Sequence, residues 1–391
     1  MLVNLENIGD FILFSAVIRE VRTNFPNSQL IVVGQRENKG LVEYCQIVDE
    51  WIWVPGHRTP KFGESIGQEI SYLKKIFRVY LILFLKYRRK IDLLIGPDWL
   101  LTKDYNQIVT NILYKKANVK GGYADRNLTI NPEKYIANTH QVPRMLSILE
   151  MQGLTISNLD PQSWLLPEIS QPSNVQGSEL FHSKSQIVIS LGAGHSRRNW
   201  PAQAFRKVIS DIHSVWPEIK FLVIGPHSLV SVDLCNTFAG LARTQELIGK
   251  TDFRLAAELI SKSTLVIVND SGFAHLSASL KIPTLVLSAH PLDADPWHLH
   301  SPNRYHPWGN EYIELQPLHL LSPCVGSCQA PEPHCIKTIT PNEVVTSTLS
   351  ILEKIRGIYW IIAECPQVRI HQMIIIAIGH RQKFSMRNIL M

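Results

Sequence analysis

Long hydrophobic runs are missing from this sequence. The longest, VYLILFL at 79–85, falls far short of the roughly 20 residues that a membrane-spanning helix needs. The opening MLVNLEN has neither the basic start nor the long apolar core of an export signal. Six cysteines in 391 residues do not make a disulfide framework. These absences lead us to expect a soluble or peripheral protein in the cytoplasm. No basic–aromatic repeat or nucleic-acid motif is present, so no nucleic-acid partner is expected. A complete dinucleotide fingerprint is absent too. Gly192-Ala193-Gly194 opens one, but position 197 is arginine where the third glycine would stand, which disfavours a dinucleotide-dependent dehydrogenase.

What is present is a globular chain with a real core. Hydrophobic residues make up 45% and charged residues 18%, and the length suits two domains. The formal net charge of +6 is compatible with an anionic ligand, an anionic lipid or nucleic acid, and singles out none of them. Strand and helix signals alternate. LVNL (2–5) reads as a short buried strand, DFILFSAVIREVRTNFP (10–26) as a helix and SQLIVVG (28–34) as a second strand. IDLLIGPD (91–98) and residues 108–124 continue the pattern. It lapses over 157–185, a polar stretch with three prolines, and restarts at QIVISLGAG (186–194). Helices at 201–217 and 252–263 follow, then strand, helix and strand across 264–289. The expected fold is α/β, two halves each with its own parallel sheet.

Three loops carry residues suited to chemistry. Gly9 and Asp10 lie where the first strand gives way to the first helix. In an open α/β sheet ligands sit at the carboxyl ends of strands. Gly9 permits close approach of a ligand or another backbone. Asp10 reads either as a helix cap or as a carboxylate at the cleft mouth, able to accept a proton. In the second loop Gly194 precedes Arg197 and Arg198, a lip for an oxyanion or a solvated loop with surface arginines. In the third, VIVNDSGFAH, Asp270 ends a buried strand and Ser271 and Gly272 open a helix carrying His275 one turn in. Exposed amides at a helix start bind anions, and a capped turn with a core histidine is the plainer alternative. Cys324, Cys328, His334 and Cys335 have irregular, loosely metal-like spacing. A loop with adventitiously close thiols is the expectation there, with no metal.

Taken together, these blocks resemble glycosyltransferase family 9, the heptosyltransferase family of lipopolysaccharide core synthesis. The resemblance begins at NIGDFILFSAVIREVRTNFPNSQLIVV and resumes at GAGHSRRNWPAQAFRKVI. It is most specific at 246–287, around NDSGFAHLSASLKIPTLVL. It extends weakly through SPNRYHPWG and the cysteine segment to ITPNEVVTSTL at 339–349, so it covers most of residues 1–350. It implies a GT-B architecture, two Rossmann-like domains facing a central cleft. The implied activity is inverting, metal-independent sugar transfer from a nucleotide-diphosphate donor, with no cofactor, to a cell-envelope glycan or lipid-linked acceptor. Asp10 matches the family's general base. Gly194, Arg198, Asp270, Ser271, Gly272 and His275 match donor-binding positions, with Arg198 where a lysine usually stands. Gly9, His140 and Arg144, the last two in THQVPRML, match the acceptor side.

The expected organisation is an acceptor-binding domain at 1–165, a linker at 166–185, a donor-binding domain at 186–350 and an extension of unassigned role at 351–391. One departure stands out. PHSLVSVD (226–233) offers no glutamate where the family often holds the donor ribose. A nucleotide-sugar epimerase on the same architecture, or a catalytically lapsed nucleotide-sugar-binding relative, therefore stays open. So do two readings of the basic-ended apolar stretch 71–90. One is a core helix. The other is an interfacial helix in peripheral contact with anionic membrane at the inner face of the cytoplasmic membrane.

Overall fold

Two parallel sheets organise the chain, and both follow the Rossmann strand order. They are seen in a computed structural model. It describes residues 1–4, 6–42, 45–54, 91–96, 117–122, 139–160, 186–225, 237–298 and 300–364, with isolated positions between 74 and 87. The first sheet contains β1 (Leu2–Asn4), β2 (Ile31–Gln35), β3 (Glu50–Val54), β4 (Ile91–Gly96) and β5 (Ala117–Gly122), in the order β3-β2-β1-β4-β5. The second contains β6 (Gln186–Ser190), β7 (Lys220–Ile224), β8 (Thr244–Glu246), β9 (Leu265–Asn269), β10 (Thr284–Leu287) and β11 (Tyr312–Leu315), in the order β11-β10-β9-β6-β7-β8. Every pairing between these strands is parallel. The order reverses beside β1 in one sheet and beside β6 in the other. Such switch points open a crevice at the carboxyl ends of the strands.

Central strands carry continuous apolar runs because helices cover both faces of a parallel sheet. β1, β6 and β9 are buried along their whole length. β3, β5, β8 and β11 are the edge strands, and of these only β3, EWIWV, carries an apolar run. An edge strand is half-exposed, so polar residues enter its sequence, as in TQE and YIEL here.

Helix α1 (Ile8–Asn24) is apolar nearly all round. Phe11 to Ile18 are buried without a break, as befits a helix packed on more than one side. It ends just before Pro26. Further helices are α2 (Lys39–Val42), α3 (Gln141–Glu150), α4 (Ala202–Val215), α5 (Phe253–Ser261), α6 (Gly272–Ser279), α7 (Pro302–Tyr305) and α8 (Pro341–Glu364). One apolar cluster runs from Phe11, Phe14 and Leu146 of the first half to Ala257, Leu259, Val266 and Leu276 of the second. The two sheets thus share a core, with α1 packed against α6.

A strap reinforces this seam. Buried Glu20 accepts from Ser157 N (2.7 Å) and from Ser157 Oγ (3.0 Å). Asp160, three residues on, pairs with Lys281 at 2.8 Å, so the chain after α3 ties α1 to the second half.

Residues Met1–Val344 form one compact unit, which holds both sheets, and Val345–Met391 a second. Of the second, the described part is helical, the continuation of α8 to Glu364, which runs past residue 350. The expected linker at 166–185, most of 71–90, the 226–233 segment and the last 27 residues lie outside the described residues. No described helix is long and apolar enough to cross a membrane.

Candidate active site

The turn after β1 forms one wall of a cleft. Asn4 Oδ1 accepts from Glu6 N at 3.1 Å and shapes the turn. Asn7 holds the cap position of α1 with an extended backbone. Asp10 is therefore inside the first helical turn, not the cap, and faces the cleft. Gly9 is needed for close approach. A Cβ there would lie 2.8 Å from His275 Cδ2 and 3.3 Å from Gly272 Cα. Gly272 answers from the other half, where a Cβ would collide with Ile8 Cγ2. Two glycines thus let the N-termini of α1 and α6 meet.

The opposite wall begins where β6 ends. Leu191 to Gly194 run into a single 3₁₀ turn, Ser196–Arg198. Buried Trp200 anchors that turn. Its backbone N–H donates to Asn269 Oδ1 (3.0 Å) and its indole to Ile339 O (3.0 Å). Arg198 is thereby aimed at the end of β9, and its Nη1 lies 3.2 Å from Asp270 Oδ2. Its Nη2 donates to His300 Nδ1 at 2.8 Å. An imidazole that accepts at Nδ1 is neutral with its proton on Nε2. Burial, reinforced by Arg198 and Arg197, pushes the His300 pKa down to about 4, which agrees.

Helix α6 starts at the same place. Ser271 caps it without a side-chain capping bond; Ala274 N donates to Ser271 O (3.0 Å), and the amides ahead of it have no carbonyl to reach within the helix. Ser271 Oγ and His275 Nδ1 are buried without a hydrogen-bond partner among the described residues. Burial lowers the His275 pKa to about 4; Asp270 works against this, and His306 and Arg198 add to it. A positive helix end, a guanidinium and these polar atoms converge on one region. That arrangement is suited to an anion with several oxygens. Glu314, at the C-terminal end of β11, also faces the cleft. Desolvation and the nearby Asp270 raise its pKa well above the ordinary carboxylate value, so it stays protonated longer than an exposed glutamate.

The cleft has a volume of about 710 Å³. It is lined by Gly9, Asp10, Gly194, Arg198, Asp270, Ser271, Gly272 and His275, so eight residues singled out in the sequence meet in one place. His140 and Arg144 do not line it. His140 caps α3 by accepting from Val142 N (3.1 Å), and its Nε2 donates to His306 O (2.9 Å). Its ring stacks on Trp308 with centroids 4.3 Å apart. Burial, then His306, pushes its pKa down to about 2, so it is a neutral hydrogen-bonding group one layer behind His306. His300, His306 and Glu314 line the cleft without having been singled out. The histidine-rich stretch HLHSPNRYHPWG carried a signal for the first two; Glu314 sits on an edge strand and had none.

Two Rossmann-type halves with their switch points opening on a shared cleft define the GT-B class of fold. Comparison with known proteins agrees. The solved glycosyltransferase family 9 protein from Veillonella parvula superposes with a TM-score of 0.64 at 18% identity, covering 90% of this chain and 96% of that one. The Escherichia coli ADP-heptose lipopolysaccharide heptosyltransferase II gives 0.61 at 15% identity, covering 91% and 98%. The family model for glycosyltransferase family 9 (heptosyltransferase) matches residues 112–324. This chain belongs to that family. The lipooligosaccharide heptosyltransferase 2 of Campylobacter jejuni is 27% identical over 188 residues, 44% of this chain. The match spans about half of that relative, 53% of its length.

Proposed function

We propose that this protein is an inverting glycosyltransferase. It would take a heptose-like sugar from a nucleoside-diphosphate donor and pass it to a cell-envelope glycan or lipid-linked acceptor. The carrying observation is that Asp10 on one wall and Arg198 with the start of α6 on the other line the same cleft. In this reading the half built on β1–β5 takes the acceptor and the half built on β6–β11 the donor. The boundaries proposed from the sequence are 1–165 and 186–350. The acceptor hydroxyl gives its proton to the Asp10 carboxylate while its oxygen attacks the anomeric carbon. The bond from that carbon to the β-phosphate oxygen breaks on the opposite face, which inverts the configuration. Negative charge grows on the departing diphosphate. Arg198, the α6 amides and Ser271 meet that charge, the role a divalent ion plays in other transferases, so the transfer needs no metal at the diphosphate. The name of the Escherichia coli neighbour, an ADP-heptose transferase, makes an adenosine diphosphate donor the first to try.

Membrane contact belongs to the same proposal. Phe77, Leu81 and Leu85 are helical, four residues apart, and 66%, 44% and 62% exposed. Apolar residues at helical positions presented to solvent, in a stretch with basic ends, support the interfacial reading of 71–90 over a core helix.

The test is a transfer assay with ADP-heptose and a heptose-deficient lipooligosaccharide, with and without EDTA. The expected result is an acceptor mass gain of one sugar, with inverted anomeric configuration by NMR and no loss of rate in EDTA. Donor conversion without acceptor would indicate an epimerase instead. Donor binding without turnover on any acceptor would indicate a lapsed relative.

A further inference from the structure

Cys324, Cys328, His334 and Cys335 look irregular in sequence, yet the fold closes them into a cluster. Their donor atoms all lie within 4.8 Å of one another. Gly326, with φ of 71°, makes the sharp turn that brings the first two thiols to the same side. None of the three cysteines is in a disulfide.

The distances identify what the cluster suits. Cys324 Sγ lies 3.6 Å and Cys335 Sγ 3.5 Å from the same His334 nitrogen, Nδ1. That nitrogen has one lone pair, so it cannot accept hydrogen bonds from both thiols. A tetrahedral zinc ion has bonds of about 2.3 Å to sulfur and about 2.0–2.1 Å to nitrogen. At the tetrahedral angle those lengths put sulfur and nitrogen about 3.6 Å apart, the spacing found here. The surroundings also fit a closed metal site. Cys328 and Cys335 are 5% and 0% exposed. Gln329 N donates to Cys324 Sγ at 3.5 Å, a contact that offsets thiolate charge. Soft sulfur with one imidazole selects zinc over magnesium or calcium.

We propose that Cys324, Cys328, His334 and Cys335 bind one zinc ion in a closed, structural site. It lies outside the residues lining the cleft, so it takes no part in sugar transfer and is compatible with transfer that needs no metal at the diphosphate. Its role is to fix the 324–335 loop. That loop holds the neighbouring turns, because Ser196 Oγ donates to Pro331 O and Asp295 N donates to Gly326 O (3.2 Å).

The test measures metal, not activity. Full-length protein is purified without chelator and analysed by mass spectrometry for zinc and iron. About one zinc per chain is expected, with Cys328→Ser and Cys324→Ser losing it and Cys45→Ser keeping it. Loss of zinc to a strong chelator lowers the melting temperature. Cobalt reconstitution of the wild type gives a thiolate charge-transfer band and tetrahedral d–d absorption. His334→Cys keeps the metal and strengthens the charge-transfer band, a result that does not depend on whether the serine variants fold. Wild-type protein that takes up neither zinc nor cobalt, that binds iron in preference, or that holds zinc equally well without Cys324 and Cys328 overturns the proposal.

Discussion

The Arg198 guanidinium lies 3.2 Å from the Asp270 carboxylate, with both side chains about one-fifth exposed. The pair joins the loop after β6 to the loop after β9, across the switch point of the second sheet. It also sets the arginine where a diphosphate would meet the start of α6. Lysine at this position would keep the charge and lose the fork that reaches Asp270 and His300 together. Arg198→Ala is expected to weaken nucleoside-diphosphate binding by roughly 10–100-fold, with Arg198→Lys between it and the wild type. Isothermal titration with ADP reads this directly; equal affinities would remove Arg198 from the donor site.

Asp10→Asn separates chemistry from binding. The amide fits the same space but cannot take the acceptor's proton. The transfer rate should fall by about 10²–10⁴-fold while ADP affinity changes less than about twofold. Single-turnover kinetics with saturating donor provide the measurement. Unchanged turnover would falsify the base assignment.

His275 makes stability depend on pH. Its folded pKa of about 4 is below the ordinary 6.5, so the unfolded chain binds the proton more readily. Its contribution is complete above pH 6.5 and is lost as pH falls toward about 4. The loss amounts to about 3 kcal/mol. Glu314 acts in the opposite sense, because a raised carboxyl pKa makes stability fall as pH climbs above 4.5. The two partly offset each other, so the test is a difference. Urea unfolding of wild type and His275→Gln from pH 4 to 7 should show the variant losing less stability on acidification.

The glycine contact between α1 and α6 predicts a paired substitution. Gly272→Ala places a methyl group against Ile8 and should cost about 1–3 kcal/mol. Ile8→Ala opens the space. The double variant should unfold at a higher urea concentration than the sum of the two single effects implies.

The exposed side chains of Phe77, Leu81 and Leu85 predict lipid binding. Phe77→Glu with Leu85→Glu should abolish co-sedimentation with anionic phosphatidylglycerol vesicles and leave ADP affinity unchanged. Equal sedimentation of variant and wild type contradicts the interfacial reading.

The parts of this protein that are legible in its sequence are those fixed by local rules. Continuous apolar runs mark β1, β6, β9 and β10 because a covered parallel sheet leaves no polar face. Small residues after those runs mark the cleft, because a ligand site at strand ends needs close backbone approach. Edge strands β8 and β11 were not legible, since half-exposed strands obey no simple pattern, whereas β3 does carry an apolar run, WIWV. Neither was the pairing of Gly9 with Gly272, which is a contact between residues far apart in the chain. The same holds for Cys324 and His334. Their spacing says little, and only the turn at Gly326 shows that they converge. His140 was singled out by a motif, and the fold uses it as a cap and stacking partner behind the cleft wall.

The proposed function places a nucleoside diphosphate between Arg198 and the start of α6. The most direct measurement is a thermal-shift series with ADP, UDP, GDP, CDP and dTDP on wild type and Arg198→Ala, since a ligand that binds only the folded state raises its melting temperature. At least one diphosphate, ADP first, is expected to stabilise the wild type, and the shift is expected largely to disappear in the variant. No shift with any of them, or the same shift in both proteins, would contradict it.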